Sequence, residues 1–382
     1  MITKISIENY KSITKLDFSP GRFNILIGEN GGGKSNLLEA ISFGVAASLD
    51  KLDNEFLGLR GIRVTEPQFV MSSFENNPPK EIVISFLTDR KTSSIICRID
   101  PKTKKAELFA GFPISGNAEA EPLSYETISH IKNILSKEGI YVNKLDIRST
   151  LAAEAHPFYG KVDPELGRFV FYCPEESALR TFRDEYQLLP LGRKGEGVFK
   201  YLKELSQSEE GKLVLNEINE NLSLLDWFHH IEVPATGLSN DYTVYIKDRY
   251  LTDTMSYFDQ RSTNEGFLYL LFYFTLFISK DTPAFFAIDN IESSFNPKLC
   301  TKIIEVLQKL AVKHNKQVIL TTHNPFILDG LDLSDEDQRL FVVRRNDEGH
   351  TKIRHIEYKP ERKKKLSELW MSGAIGGLPD NF

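Results

Sequence analysis

The chain has 382 residues, of which 41% are hydrophobic and 26% charged, and a formal net charge of −6. Those values fit a soluble globular protein of two or three lobes, and the acidic balance argues against a general polyanion binder. Three cysteines, Cys97, Cys173 and Cys300, lie far apart without metal-type spacing and in odd number, which points to a reducing cytoplasm rather than a disulfide framework.

The N-terminal ITKISI reads as a strand and carries no apolar signal-peptide core. A turn at Ser19–Gly21 leads to a second strand, RFNILIG, then to a run of glycines and the helical pattern SNLLEAISFGVAASL. In the middle, EIVISFL, SIICRI and FVFYC read as strands, SYETISHIKNILSKEG as a helix, and GEGVFKYLKELSQSEEGKLVLNEINENLSLL as strongly helical. From Phe267 the order is helix, strand, helix, strand, ending in QVILTTH. The apolar stretch Gly266–Ile278 is too short for a bilayer, which takes about 20 residues, and reads as a buried helix. The expected fold is α/β with a mostly parallel core sheet, the head formed by residues 1–101 and 254–382, and a mainly helical lobe inserted at 102–253.

GENGGGKS, Gly28–Ser35, fits G-x-x-x-x-G-K-[ST] between a strand and a helix. Glycines at this spacing let backbone N–H groups turn inward around phosphate oxygens. Lys34 would meet the β- and γ-phosphates of ATP, and Ser35 would ligate Mg²⁺. The helix that begins there adds its positive end.

FFAID places Asp289 at the carboxyl end of a buried strand, where open α/β sheets gather ligands, and its carboxylate would hold Mg²⁺. Asn290 cannot accept a proton, and Glu292 is the nearest carboxylate that can. His323 follows a second buried strand and can reach a γ-phosphate as a donor. His229 and His230 have no metal-type partners and read as packing residues.

Together these segments resemble the ABC-type ATPases of the SMC, RecF and OLD-like group, in particular the small ATPases of bacterial antiphage systems. ISIENYKSI is similar to the group's first strand and turn, IGENGGGKSNLLEAI to its phosphate loop, IDNIESSFNP to its Walker B and D-loop, and TTHNPFILDGL to its switch-histidine segment. The resemblance implies a P-loop NTPase head of the ABC/SMC type with an antiparallel β subdomain. It implies nucleotide contacts from Lys11, Gly28, Asn30, Gly31, Gly32, Gly33, Lys34, Ser35 and Asn36, with Gln68 in the place of the Q-loop glutamine. STNEGFLYLL occupies the place of the ABC signature without its L-S-G-G-Q, so Ser262, Asn264 and the amides near Gly266 would form a second phosphate site facing another subunit's ATP.

Three departures stand out: Asn290 for the catalytic glutamate, Ile291 for proline, and Asn296 for histidine. The catalytic set left is Asp289, Glu292 and His323, and loss of one general base costs about 10²- to 10⁴-fold, so slow hydrolysis is expected. The leading expectation is a dimeric ATP switch, the ATP sandwiched between two heads, that regulates a separately encoded effector in antiphage defence, with a nuclease as the leading candidate. Higher oligomers and contact with nucleic acid stay open; a membrane is not expected. The alternative is a RecF-like DNA repair or replication ATPase, for which Arg362–Lys365 and the pair Arg344 and Arg345 supply the basic runs.

Overall fold

A computed structural model describes residues 1–49, 51–63, 66, 69–74, 81–89, 94–100, 102–103, 105–111, 164–182, 187–234, 244–252 and 257–378. The expected helix SYETISHIKNILSKEG, residue Gln68 and the 253/254 boundary lie outside the described residues.

The core is a six-stranded sheet in the order β14 (Thr351–Ile356), β13 (Gln338–Arg345), β3 (Phe23–Ile27), β12 (Gln317–Thr321), β11 (Phe285–Ile288) and β7 (Phe171–Tyr172). All neighbours pair in parallel except β13 with β14. FNILI, FFAI and QVILT are buried along their whole length, as parallel strands covered on both faces must be. Their carboxyl ends therefore emerge along one edge of a dry sheet, and that edge carries the site.

A second, antiparallel sheet runs β2 (Ile13–Phe18), β1 (Ile2–Tyr10), β4 (Ile82–Thr88), β5 (Ser94–Asp100), β6 (Lys105–Gly111). Burial alternates along β4, the signature of a sheet with one face on the core. Between the two sheets lies α1 (Lys34–Ser48), nearly all of it buried, which fits the apolar and small residues that dominate it after its first turn.

On the other face of the core sheet sit α4 (Glu265–Ile278) and α5 (Pro297–Lys313). Asn296 caps α5 by accepting from Leu299 N, Pro297 supplies a pre-set first-turn φ, and Cys300, Ile303, Ile304, Leu307, Leu310 and Ala311 form the buried stripe. The stretch Gly266–Ile278, expected as a buried helix, is α4. No helix among the described residues is long and apolar enough to cross a membrane.

The head's core reaches into the 102–253 segment. FVFYC supplies β7, the sheet's edge strand, and the helical stretch 195–225 forms α2 (Val198–Leu205) and α3 (Glu209–Leu222). Phe199, Leu202, Ile218 and Leu222 of these helices are fully buried in one cluster with Phe272 and Phe286. α4 packs against α3, and α2 packs against α3, so this portion joins the buried cluster of the head. Next to it, β8 (Phe228–Glu232), β9 (Tyr245–Asp248) and β10 (Phe258–Asp259) form a small antiparallel sheet. It carries His229 exposed and His230 half-buried, so neither is a core packing residue.

Candidate nucleotide site

The loop after β3 turns back on itself where side chains are excluded. Gly28 has φ +149 and a Cβ there would stand 2.0 Å from the Val343 carbonyl oxygen; Gly33 has φ +109 and its Cβ would stand 2.1 Å from Thr351 Oγ1. Only glycine fits both requirements. Gly31 is left-handed with open space around it, Gly32 donates its N–H to Glu29 O at 3.2 Å, and Asn30 is exposed at the loop tip. The backbone then enters α1 directly, with no side-chain cap, leaving first-turn N–H groups available to an anion.

Lys34 is buried and curls back to donate to Gly28 O at 2.7 Å and Glu29 O at 3.1 Å. Burial holds its ammonium below the ordinary lysine value, while Asp289, Glu292 and Glu29 pull it back up. Lys34 is thus a desolvated cation facing carboxylates from another strand. Ser35 follows half-buried, its hydroxyl without a hydrogen bond among the described residues.

Beside the first turns of α1 is a cavity of about 470 Å³ whose lining includes Lys11, Ser12, Asn36, Arg63, Phe74 and Arg345. Asn36 donates to Ser12 Oγ at 2.7 Å and accepts from Arg63 Nη2 at 3.2 Å. Lys11 pairs closely with the buried carboxylate of Glu39, which also receives Arg63 Nε at 2.6 Å. Lys11 and Asn36 therefore share one wall, and both are already engaged there.

The next two strands bring the acids and the histidine. Asp289 follows β11 and accepts a close hydrogen bond from the Thr321 hydroxyl. Asn290 sits at φ +53, a left-handed conformation that asparagine tolerates better than most residues. Glu292 accepts the His323 N–H at 2.8 Å through Oε1, while its Oε2 is buried without a hydrogen-bond partner among the described residues. Leaving such an oxygen unmet costs about 1–3 kcal/mol, and buried orphans of this kind mark places where a water or ligand belongs.

The imidazole of His323 is held below its ordinary value of about 6.5 first by burial and then by Lys34, against the opposite pull of Glu292 and Asp289. The neutral ring is favoured in the folded protein. As pH falls through that window the unfolded chain takes up the proton first, so this group's contribution to stability declines. In a proton NMR titration of the nucleotide-free protein, the His323 midpoint is expected below about 6.5, and in Lys34→Ala it should move up.

The signature-like segment lines a different cavity, of about 260 Å³, with Trp227, Asp248, Phe258, Ser262, Thr263 and Asn264. Ser262 donates to Asp259 Oδ1 at 2.7 Å, and Asn264 caps α4 by accepting from Phe267 N at 2.8 Å. Both side chains are committed to their own turn, and a Cβ on Gly266 would stand 3.5 Å from the Ser294 carbonyl oxygen.

The structure thus gathers Gly28–Ser35, Asp289, Glu292 and His323, sets Lys11 and Asn36 on an adjoining wall, and holds Ser262–Gly266 apart. Four contributors are not among the expected site residues, although Ser12 and Thr321 fall within the segments matched by resemblance. Thr351 and Ser12 share a 2.7 Å hydrogen bond behind the glycine loop, Arg63 joins Asn36, and Thr321 touches Asp289. A further segment also reaches the loop, where a Cβ on Gly377 would stand 3.3 Å from Gly28 Cα; the same segment is tied down by Ser367, which bonds Asp329 through both N and Oγ. In the sequence these are ordinary polar or small residues, and it is the tertiary fold that brings them here.

A family model described as an AAA domain matches residues 4–232, more than half of the chain. The chain belongs to that AAA domain family. A second model, described as "AAA domain, putative AbiEii toxin, Type IV TA system", matches residues 264–329 of this AAA domain protein. No curated protein matches it. Among solved structures it is similar to an Smc head bound to the C-winged helix domain of ScpA, at 15% identity and a TM-score of 0.57, over 93% of this chain and 98% of that one. It is also similar to an Smc head domain with an extended coiled coil, bound to the C-terminal domain of ScpA derived from Pyrococcus furiosus. There the identity is 14% and the TM-score 0.51, over 93% and 96% of the two chains. At such identities the likeness is one of fold, and it agrees with the α/β P-loop NTPase head read from the sequence.

Proposed function

We propose that this AAA domain protein is an ATP-binding, slowly hydrolysing switch that closes as a homodimer around nucleotide and regulates a separately encoded effector, with a nuclease as the leading candidate, in antiphage defence. The observation that supports it most is the convergence of Lys34, Asp289, Glu292 and His323, which come from three neighbouring strands and act on one another's charge. The glycine loop and the α1 N-terminus would hold the phosphates. Ser35 and Asp289 are hard oxygen donors of the kind Mg²⁺ takes, and the free Ser35 hydroxyl beside the phosphate loop fits that use. Bound there, Mg²⁺ would neutralise charge on the β- and γ-phosphates.

In this reading Glu292 Oε2, buried and unmet, takes the proton of an attacking water, and neutral His323 donates to the γ-phosphate. Asn290 carries no base. Asn290→Glu is expected to raise hydrolysis while lowering stability by about 1–2 kcal/mol, because a longer β-substituted residue is strained at left-handed φ. Phosphate release and thermal unfolding measure the two effects; an unchanged rate would mean that a different residue already handles the proton.

Dimerisation is supported by the separation of the two concavities, since a signature-like segment that lies apart from its own phosphate loop can serve a second copy's nucleotide. The match of residues 264–329 to a model named for an AbiEii toxin of a Type IV TA system supports the defence role. The test is light scattering with ATP and Mg²⁺, where mass should rise from one chain to two, followed by co-purification with the product of the adjacent gene. A chain that stays monomeric with every nucleotide, or that leaves its neighbour's activity unchanged by ATP, overturns the proposal.

Direct action on DNA, in the manner of a RecF-like ATPase, draws on one observation: Arg344 and Arg345 are exposed at the end of β13, and Arg345 lines the same cavity as Lys11. It requires DNA binding that weakens steeply with salt.

A further inference from the structure

An aspartate at a strand end turns freely unless something holds it, and here one hydroxyl does so. The β11–β12 register pairs Ile288 with Leu320, which sets Thr321 beside Asp289. Thr321 is fully buried. Its Oγ1 accepts the Asn290 N–H at 3.0 Å, so its single proton is directed to Asp289 Oδ1. Its carbonyl oxygen accepts the Ile291 N–H at 3.1 Å.

Those three bonds hold the whole turn Asp289–Ile291, including the left-handed Asn290. They also divide the Asp289 carboxylate: Oδ1 is occupied by Thr321, and Oδ2 has no hydrogen-bond donor among the described residues. Two residues further along the chain, past the end of β12, the His323 N–H holds Glu292. One short segment thus positions both acids.

We infer that Thr321 is a positioning residue that fixes which oxygen of Asp289 is presented to Mg²⁺, so that removing its hydroxyl weakens metal use more than nucleotide binding. The inference rests on the nucleotide reading above. A hydrogen bond behind a metal ligand commonly changes metal affinity by about 10- to 100-fold, and that is the scale expected here.

The test uses the full chain with Thr321 kept, and with Thr321→Ser, Thr321→Val and Thr321→Ala. ATP is titrated by calorimetry over a Mg²⁺ series and in excess EDTA, and thermal unfolding is recorded for each. In Thr321→Val the Mg²⁺ midpoint for ATP binding should rise by about 10- to 100-fold, with metal-free ATP affinity little changed. Thr321→Ser keeps the hydroxyl and should restore the original midpoint. Should Thr321→Val fail to fold, Thr321→Ala removes the same hydroxyl without adding a carbon in its place and gives the same comparison.

A Thr321→Val or Thr321→Ala curve that superimposes on that of the unaltered chain overturns the inference, as does an equal loss of metal-free binding. If the unaltered chain binds ATP without regard to Mg²⁺, the inference alone falls; if it binds no ATP at any Mg²⁺ level, the nucleotide reading falls and the inference with it. The two failures are therefore distinct.

Discussion

Lys34→Ala is expected to weaken ATP binding by about 10²- to 10⁴-fold, because two charge-assisted hydrogen bonds to phosphate, each of about 1.5–3 kcal/mol, are lost together. The ammonium is already desolvated and, among the described residues, donates to Gly28 O and Glu29 O. Phosphate oxygens replace those carbonyls without a new dehydration cost, so the full interaction is realised on binding. Calorimetry on a variant with an unchanged circular dichroism spectrum measures it, and retained affinity would remove the phosphate-loop assignment.

The second large effect is at Glu292. Glu292→Gln keeps an oxygen to accept the His323 N–H but removes the group that can take a proton, so hydrolysis should fall by about 10²- to 10⁴-fold while ATP binding persists. A closed, nucleotide-trapped dimer should then accumulate, visible by light scattering. If turnover survives in Glu292→Gln, the base lies elsewhere, and the unmet Oε2 needs another explanation. Binding and turnover are thus separable: Lys34→Ala removes both, Glu292→Gln only the second.

Much of this site could be read from the chain because its spacing is imposed by local backbone chemistry. Gly28, Gly33 and Lys34 must stand as they do for a phosphate loop to form, and Asp289 and His323 terminate apolar runs that can only be buried parallel strands. What was hidden depends on register. Thr321 matters because β12 lies beside β11, and Thr351 packs on Gly33 because β14 closes a sheet edge that the pattern of apolar residues does not reveal. The extent of the head was hidden for a similar reason. β7 is two residues long, yet it joins residues 164–222 to the core sheet and its buried cluster. No helix pattern announces where its apolar face will find a partner.

The left-handed backbone at Asn290 also bears on how such a protein can change over generations. Few residue types visit that conformation routinely, and among them glycine, asparagine and aspartate are the common ones. Aspartate alone of the three brings a carboxylate, at the same reach as the amide it would replace. A lineage under selection for faster turnover therefore has a short route open to it, Asn290→Asp, which suits the turn and its Thr321 bonds, whereas glutamate would cost the same turn about 1–2 kcal/mol.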